Sequence, residues 1–292
     1  MTYRGKVYQM PINLETINSF YGIGLKPFEV DDFLREQIAK EGIREPRNLE
    51  EKAISLVGRP LYEAFIKGYT QKQWGKRAAE LPASIITRLP FRKNYDESYY
   101  DDTWQGIPLD GYTAIFDAML DHPNIEVHTD RDYFDIREEI PAHCLVVYSG
   151  SVDRFFEYKF GRLESRTLRF EFEVMPYEDY QGTSVMNFSE ESVPYTRIHE
   201  PKHLHPERRG KISKTLIIRE YPESNTADEA YYPVDSPGNR TMLAKYEEEK
   251  DQLVNVVFGG RMGDFRYYDM DEVISRALDT YEAKIKRWKP GR

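Results

Sequence analysis

Four arginines stand where the chain could grip an anion. Arg88 lies in Thr87-Arg88-Leu89-Pro90, Arg166 opens a run of alternating residues, Arg197 ends Pro194-Tyr195-Thr196-Arg197, and Arg261 follows Gly259-Gly260. Diphosphate recognition favours planar forks of permanent charge, which a guanidinium supplies and an ammonium does not. Any one of them taken alone reads as a solvated surface arginine. Phe65, Tyr69 and Trp74 follow one another at spacings of four and five. At a helix end that spacing makes an aromatic wall for a nucleobase; it also makes a core stripe, which pattern alone favours.

The stretch 254–270 offers a different chemistry. An apolar strand running into Gly259-Gly260 lets the backbone approach a ligand closely. Asp269 with Glu272 forms a capping box for the last helix. Its N-terminus presents N–H groups and a positive dipole end to a phosphate or an electron-rich ring. An ordinary strand-to-helix connection explains the same residues equally well.

Two apparent motifs carry no chemistry. His199-Glu200-Pro201-Lys202-His203 matches HExxH in letters, but zinc ligation needs both histidines on one helical face and Pro201 breaks that helix. Gly22-Ile23-Gly24 resembles the start of a dinucleotide fingerprint, yet Pro27 stands where the third glycine belongs and no strand precedes it; it is a turn. Nowhere in the chain does GxGxxG follow a strand, so the usual first βαβ dinucleotide unit is not encoded here. No metal site is expected.

The elements that must position these residues are legible in outline. Residues 1–13 read as a short strand pair turning at Gly5. Residues 14–82 read as a helical domain. Within it, 29–39 places Val30, Phe33, Leu34 and Ile38 on one face, and Asn48 with Glu51 opens a helix to Val57. After Gly58, Pro60 starts another helix carrying Leu61, Phe65 and Ile66. A long loop spans 84–100. Gly111 opens a helix to about Leu120, and 145–148 reads as a buried strand ending at Ser149-Gly150. The runs 166–175, 184–188, 195–199 and 214–221 alternate like an antiparallel sheet with one wet face. Strand 254–258, the glycine turn and a helix over 271–286 close the chain, with Ile274, Ala277, Leu278, Tyr281 and Ile285 aligned.

Bulk properties bound the function. A chain of 292 residues suggests roughly two domains. The net charge of −9 argues against nucleic acid as the main partner, but leaves room for a small anion held by a few arginines. Tyrosine is abundant, with 22 residues, and its ring and hydroxyl suit nucleotides and sugars. The single cysteine, Cys144, cannot form an internal disulfide, and no apolar run is long enough to span a membrane. These features fit a cytoplasmic enzyme.

Six ordered blocks carry a resemblance. They are Ser55-Leu56-Val57-Gly58; Ile66-Lys67-Gly68-Tyr69-Thr70-Gln71-Lys72-Gln73-Trp74-Gly75; Gln105-Gly106-Ile107-Pro108 with Gly111-Tyr112-Thr113; Val193-Pro194-Tyr195-Thr196-Arg197-Ile198; Tyr231-Tyr232-Pro233-Val234; and Phe258-Gly259-Gly260-Arg261 with Tyr267-Tyr268-Asp269-Met270. In order and spacing they resemble the bacterial UDP-galactopyranose mutases over nearly the whole chain.

The resemblance implies an α/β fold of α+β character: a helical domain (14–82), an antiparallel substrate-side sheet domain (83–105 and 163–235), and the C-terminal half of a Rossmann-like FAD-binding domain (1–13, 106–162 and 236–292). It implies interconversion of UDP-galactopyranose and UDP-galactofuranose through a covalent intermediate between flavin N5 and the sugar, with FAD in its reduced form. Arg88, on a mobile loop at 84–96, and Arg197 would clamp the two phosphates. Tyr99, Tyr232 and Tyr267 would donate hydroxyls to them. Phe65 and Tyr69 would pack the uracil, Trp74 would border the sugar, and Asn187 and Arg166 would lie close to the substrate. Gly260, Arg261, Tyr267, Asp269 and Met270 would contact FAD. A homodimer is also implied.

Measured against the family pattern, the chain starts about 80 residues in, where the glycine fingerprint would stand. Three readings follow: a mutase completed by a separate N-terminal flavin-binding segment, a non-catalytic uridine-nucleotide-sugar binding module, or an inactive truncated homologue.

Overall fold

Asn13 starts the first helix, Leu14–Tyr21, by accepting the Thr16 N–H at 3.0 Å, and Gly22 ends it in the left-handed conformation at φ +67°. Asn48 does the same for Leu49–Val57, where its side chain accepts the Glu51 N–H at 2.9 Å. In that helix Leu49, Ala53, Ile54 and Val57 are all buried, the spacing of one helical face. The computed structural model describes residues 1–88, 90–208, 213–225 and 229–289; the side chains of Thr87, Arg88 and Arg208 lie outside that description.

The chain divides into two units: one of residues 1–103, 165–229 and 234–237, the other of residues 104–164, 230–233 and 238–292. In the first unit the strands Thr2–Tyr3 and Lys6–Val7 pair antiparallel about Gly5, at φ +73°. Helix Val30–Ala39 buries Val30 and Leu34. After Gly58 comes an almost unbroken helical run: Arg59–Leu61, a π-helical stretch Tyr62–Lys67, then Gly68–Trp74. The π register is invisible to an apolar-periodicity argument, because it is a change of hydrogen-bond partner rather than of residue type. The core of this unit gathers Leu14, Ile17, Val30, Leu49, Ile54, Leu61, Tyr62 and Phe65.

Beside the helices lies an antiparallel sheet whose strands run in the order Val185–Asn187, Arg197–His199, Thr215–Ser224, Ser165–Met175. Its two long strands pair from Arg166 with Ser224 to Met175 with Thr215. The expected single wet face fails toward the far end of the long strand. Phe172 and Val174 are 68% and 65% exposed while the intervening Glu171 and Glu173 are exposed as well. Alternation assigns residues to sides of a strand, but whether a side is covered depends on another layer arriving there.

In the second unit Val146–Tyr148 pairs in parallel with Val256–Phe258. Around this pair pack Val152, Leu163, Tyr246 and Phe265. The strand at 146–148 is only partly buried, since Val147 is 56% exposed. Helix Pro237–Lys250, which no reading of the sequence singled out, contributes Tyr246, whose hydroxyl donates to the Gly161 carbonyl at 2.7 Å. Its stripe is weak because charged residues interrupt it; Tyr246 and Asn239 are buried, and Met242 and Leu243 pack on the same core. Helices Tyr112–Leu120 and Met270–Thr280 have no buried residue, and Phe116, Ile274 and Leu278 are exposed. No described helix is long and apolar enough to cross a membrane.

Candidate functional site

In the first unit the candidate residues converge where the helix Gly68–Trp74 meets the sheet. Asn187, Arg197 and Glu220 are direct cross-strand neighbours on three adjacent strands, which sets their side chains on one face. Arg197 Nη2 donates to the Tyr69 hydroxyl, and Arg197 Nε forms an ion pair with Glu220 Oε1 at 3.2 Å. The other oxygen of that buried carboxylate lies 2.9 Å from His199 Nε2. Glu220 therefore sets a buried negative charge behind the guanidinium. The Asn187 Oδ1 is buried with no hydrogen-bond partner among the described residues, an acceptor that a ligand hydroxyl would satisfy.

Arg166 is used differently from the expectation of contact with a small molecule. It is 7% exposed, its Nε donates to the Gln73 carbonyl at 3.0 Å and its Nη2 to the Lys72 carbonyl at 3.2 Å, while Nη1 donates to Ser224 Oγ at 2.9 Å. It thus caps the C-terminal carbonyls of the helix that carries Tyr69 and Trp74, where a cation complements the helix dipole. Gly75 must be a glycine for the same reason. It sits at φ +65°, and a β-carbon there would come within 2.8 Å of Arg166 Nη1.

Lys72 is the residue that sequence reasoning missed. Its ammonium donates to the carbonyls of Phe188, Glu190, Val193 and Tyr195, at 2.8 to 3.0 Å, and so gathers the whole connection between the strands of Asn187 and Arg197. Burial lowers its pKa to about 8, against the pull of Glu190 and Glu191. Its sequence position, three residues past Tyr69 in a lysine-containing motif, held a weak signal. A lysine bonded to carbonyls leaves no trace in charge pairing.

The remaining candidates divide plainly. Phe65 is 2% exposed, enclosed by Tyr3, Tyr8 and Phe20, so in this structure its ring has no face left for a base and serves the core. Trp74 is half-buried and packs on that same core. Tyr99 is exposed, edge-on to Tyr100. Arg88 ends the 3₁₀ segment Ala83–Arg88, but its side chain lies outside the described residues. The structure therefore brings together Tyr69, Asn187 and Arg197, and places Arg166 and Trp74 at the same helix end.

A second cluster forms in the second unit. Tyr232 and Tyr267 stack with centroids 5.7 Å apart, and the Arg261 guanidinium lies 4.4 Å from the Tyr267 ring centre. Arg261 also donates to the carbonyls of Tyr231 and Tyr268. It follows Gly260, at φ +75°, at the end of strand Val256–Phe258. Asp269 caps helix Met270–Thr280, and its N–H donates to Glu272 at 2.8 Å. Met270, at the helix start, is exposed.

The HExxH letters separate in space: His199 ends a strand while His203 sits in the 3₁₀ turn Pro201–Leu204. Glu200, Asp179 and His203 do approach one another. The buried Glu200 carboxylate already accepts the Gln181 N–H at 2.9 Å and the Thr215 hydroxyl at 2.6 Å, so it clamps a loop.

Comparison with known proteins adds four findings. A family model for UDP-galactopyranose mutase matches residues 64–267. A probable UDP-galactopyranose mutase from Klebsiella pneumoniae is 43% identical, over 96% of this chain and 71% of its own length. A dTDP-fucopyranose mutase from Escherichia coli is 40% identical, over 98% and 76% respectively. Among solved structures, that of a reduced UDP-galactopyranose mutase superposes with a TM-score of 0.55 over 88% of this chain and 72% of its own, at 13% identity, which speaks to the fold alone.

Proposed function

The chain belongs to the UDP-galactopyranose mutase family, and on that footing we propose that it interconverts UDP-galactopyranose and UDP-galactofuranose with reduced FAD. The family is one of flavin-dependent isomerases. The observation that carries the reading is the Tyr69–Arg197–Glu220 arrangement, with the buried Asn187 oxygen beside it. A guanidinium braced from behind and flanked by a phenol is suited to a diphosphate, and an unsatisfied amide oxygen to a sugar or ribose hydroxyl.

The described residues fit one edge of a flavin. A β-carbon at Gly259 would meet nothing within 4 Å, so the backbone there is open to a flat ring, and Gly263 approaches the Tyr148 carbonyl closely enough to seat its helix on the strand. They do not supply the glycine-rich pyrophosphate cradle. When bound, reduced flavin supplies the nucleophile for the sugar's anomeric carbon. Gly260, Arg261, Asp269 and Met270 hold its edge in this proposal. Arg88 and Arg197 keep the departing diphosphate in place for its return, Tyr99, Tyr232 and Tyr267 donate hydroxyls to it, and Tyr69 and Trp74 border the base and sugar. A homodimer enters the proposal from the family resemblance.

The test supplies FAD, dithionite and UDP-galactofuranose and follows UDP-galactopyranose by chromatography. Unchanged substrate in the presence of bound, reduced flavin counts against the reaction. Because the fucopyranose-acting relative is nearly as similar, conversion of UDP-galactopyranose is also compared with that of dTDP-fucopyranose, which differs from it in the base, the ribose 2′-hydroxyl and the sugar C6 hydroxyl. Preference for that substrate reassigns the sugar nucleotide and leaves the mutase chemistry standing.

A further inference from the structure

Between Asn187 and Arg197 the chain leaves one strand and enters the next through residues 188–195. Apart from a bridge between Phe188 and Thr2 and a turn in which the Val193 N–H donates to the Glu190 carbonyl at 3.2 Å, the connection has no ladder of its own, so most of its carbonyls need partners from elsewhere. The helix Gly68–Trp74 provides them. Gly68 and Lys72 are four residues apart and face the same way. At Gly68 the helix backbone approaches so closely that a β-carbon would sit 2.1 Å from the Ser189 carbonyl oxygen. One turn on, the Lys72 ammonium takes four carbonyls of the connection, those of Phe188, Glu190, Val193 and Tyr195. The carbonyl of Lys72 itself receives Arg166 Nη2, which ties the same turn to the long strand of the sheet.

We propose that Lys72 is a positioning residue of the nucleotide-sugar site: its side chain holds the 188–195 connection in the shape that sets Asn187 and Arg197 against the diphosphate. The inference rests on the function proposed above. An ammonium is the group for this task, since it offers three donors and no acceptor to converging carbonyl oxygens. An uncharged amine keeps two donors and turns a lone pair toward oxygen. The charged groups acting on it are Glu190 and Glu191 on the connection, while Arg166 meets the Lys72 carbonyl and not its amine. With the amino group half-protonated near pH 8, the clamp is intact at pH 7 and released as pH rises to 9.

The experiment is calorimetric titration of UDP into the full chain, into Lys72→Met and into Lys72→Arg, at pH 7 and pH 9. The Lys72→Met variant is expected to bind UDP about tenfold more weakly at pH 7, the equivalent of losing about 1.4 kcal/mol. Wild-type affinity is expected to fall toward that of Lys72→Met at pH 9. Lys72→Arg keeps its proton at both values and is expected to show no such pH dependence. That contrast is one a merely structural lysine would not produce. It stands on wild type and Lys72→Arg even where Lys72→Met fails to fold. UDP affinity of Lys72→Met within about twofold of wild type, or the same pH dependence in wild type and Lys72→Arg, overturns the proposal. Wild type that gives no heat with UDP instead overturns the nucleotide site. Hydrogen exchange then decides the clamp separately: unchanged protection of the 188–195 amides between pH 7 and 9, after correction for intrinsic rates, removes it.

Discussion

Arg197 stands directly across the strand pair from Glu220, and its Nε lies 3.2 Å from a carboxylate that is almost wholly buried. The pair, with the Tyr69 hydroxyl, places the Arg197 guanidinium before any ligand arrives. In the proposed function the diphosphate meets a guanidinium that is already placed, so less ordering is left to the binding step.

Arg197→Ala is expected to lower kcat/KM by about a hundredfold or more, the loss of a charge-assisted clamp that tightens in the transition state. Assay in the presence of reduced FAD checks it. Turnover within about tenfold of the parent removes Arg197 from its role.

Glu220→Gln keeps the shape and deletes the charge that Arg197 and His199 share. Unpairing a largely buried ion pair should destabilise the fold by about 2 kcal/mol, read as a lower urea midpoint at unchanged slope. An unaltered midpoint would show that solvent already compensates Arg197.

Gly75→Ala forces a β-carbon into the left-handed region and against Arg166. The backbone term alone is about 1–2 kcal/mol. The cap on the Tyr69 helix should loosen with it, so thermal stability and UDP affinity should fall together. A variant with wild-type melting and binding contradicts the helix-end arrangement.

Asp153 provides a pH test in the second unit. Burial raises its pKa above the usual carboxylate value, opposed by N–H groups of Leu163 and Arg154. A carboxyl whose folded pKa is raised contributes stability that is fully present below its unfolded pKa and lost as pH rises through the folded one. The stability of wild type relative to Asp153→Asn should therefore grow as pH falls from 7 toward 4, measured by urea unfolding at each pH. A gap that narrows in acid has the wrong sign.

Local chemistry made a good part of this protein legible from its sequence. Asn48 with Glu51 announces a helix start and Asp269 with Glu272 closes a capping box, because each acts on backbone groups three residues away. The period of Leu49, Ala53, Ile54 and Val57 gives a helix face for the same reason. The family resemblance likewise marked Tyr69, Asn187 and Arg197, which the fold does bring together.

Only the tertiary structure decided what those residues do to one another. Phe65 belongs to the core because Tyr3, Tyr8 and Phe20 arrive around it, and no spacing in the chain contains that. Arg166 became a helix cap, and Lys72 the clamp on a connection more than 110 residues away. Charge, hydroxyl and ring are properties of a residue and can be read one at a time. A partner is a property of where the chain returns, and the antiparallel sheet that brings Glu220 beside Arg197 sets it.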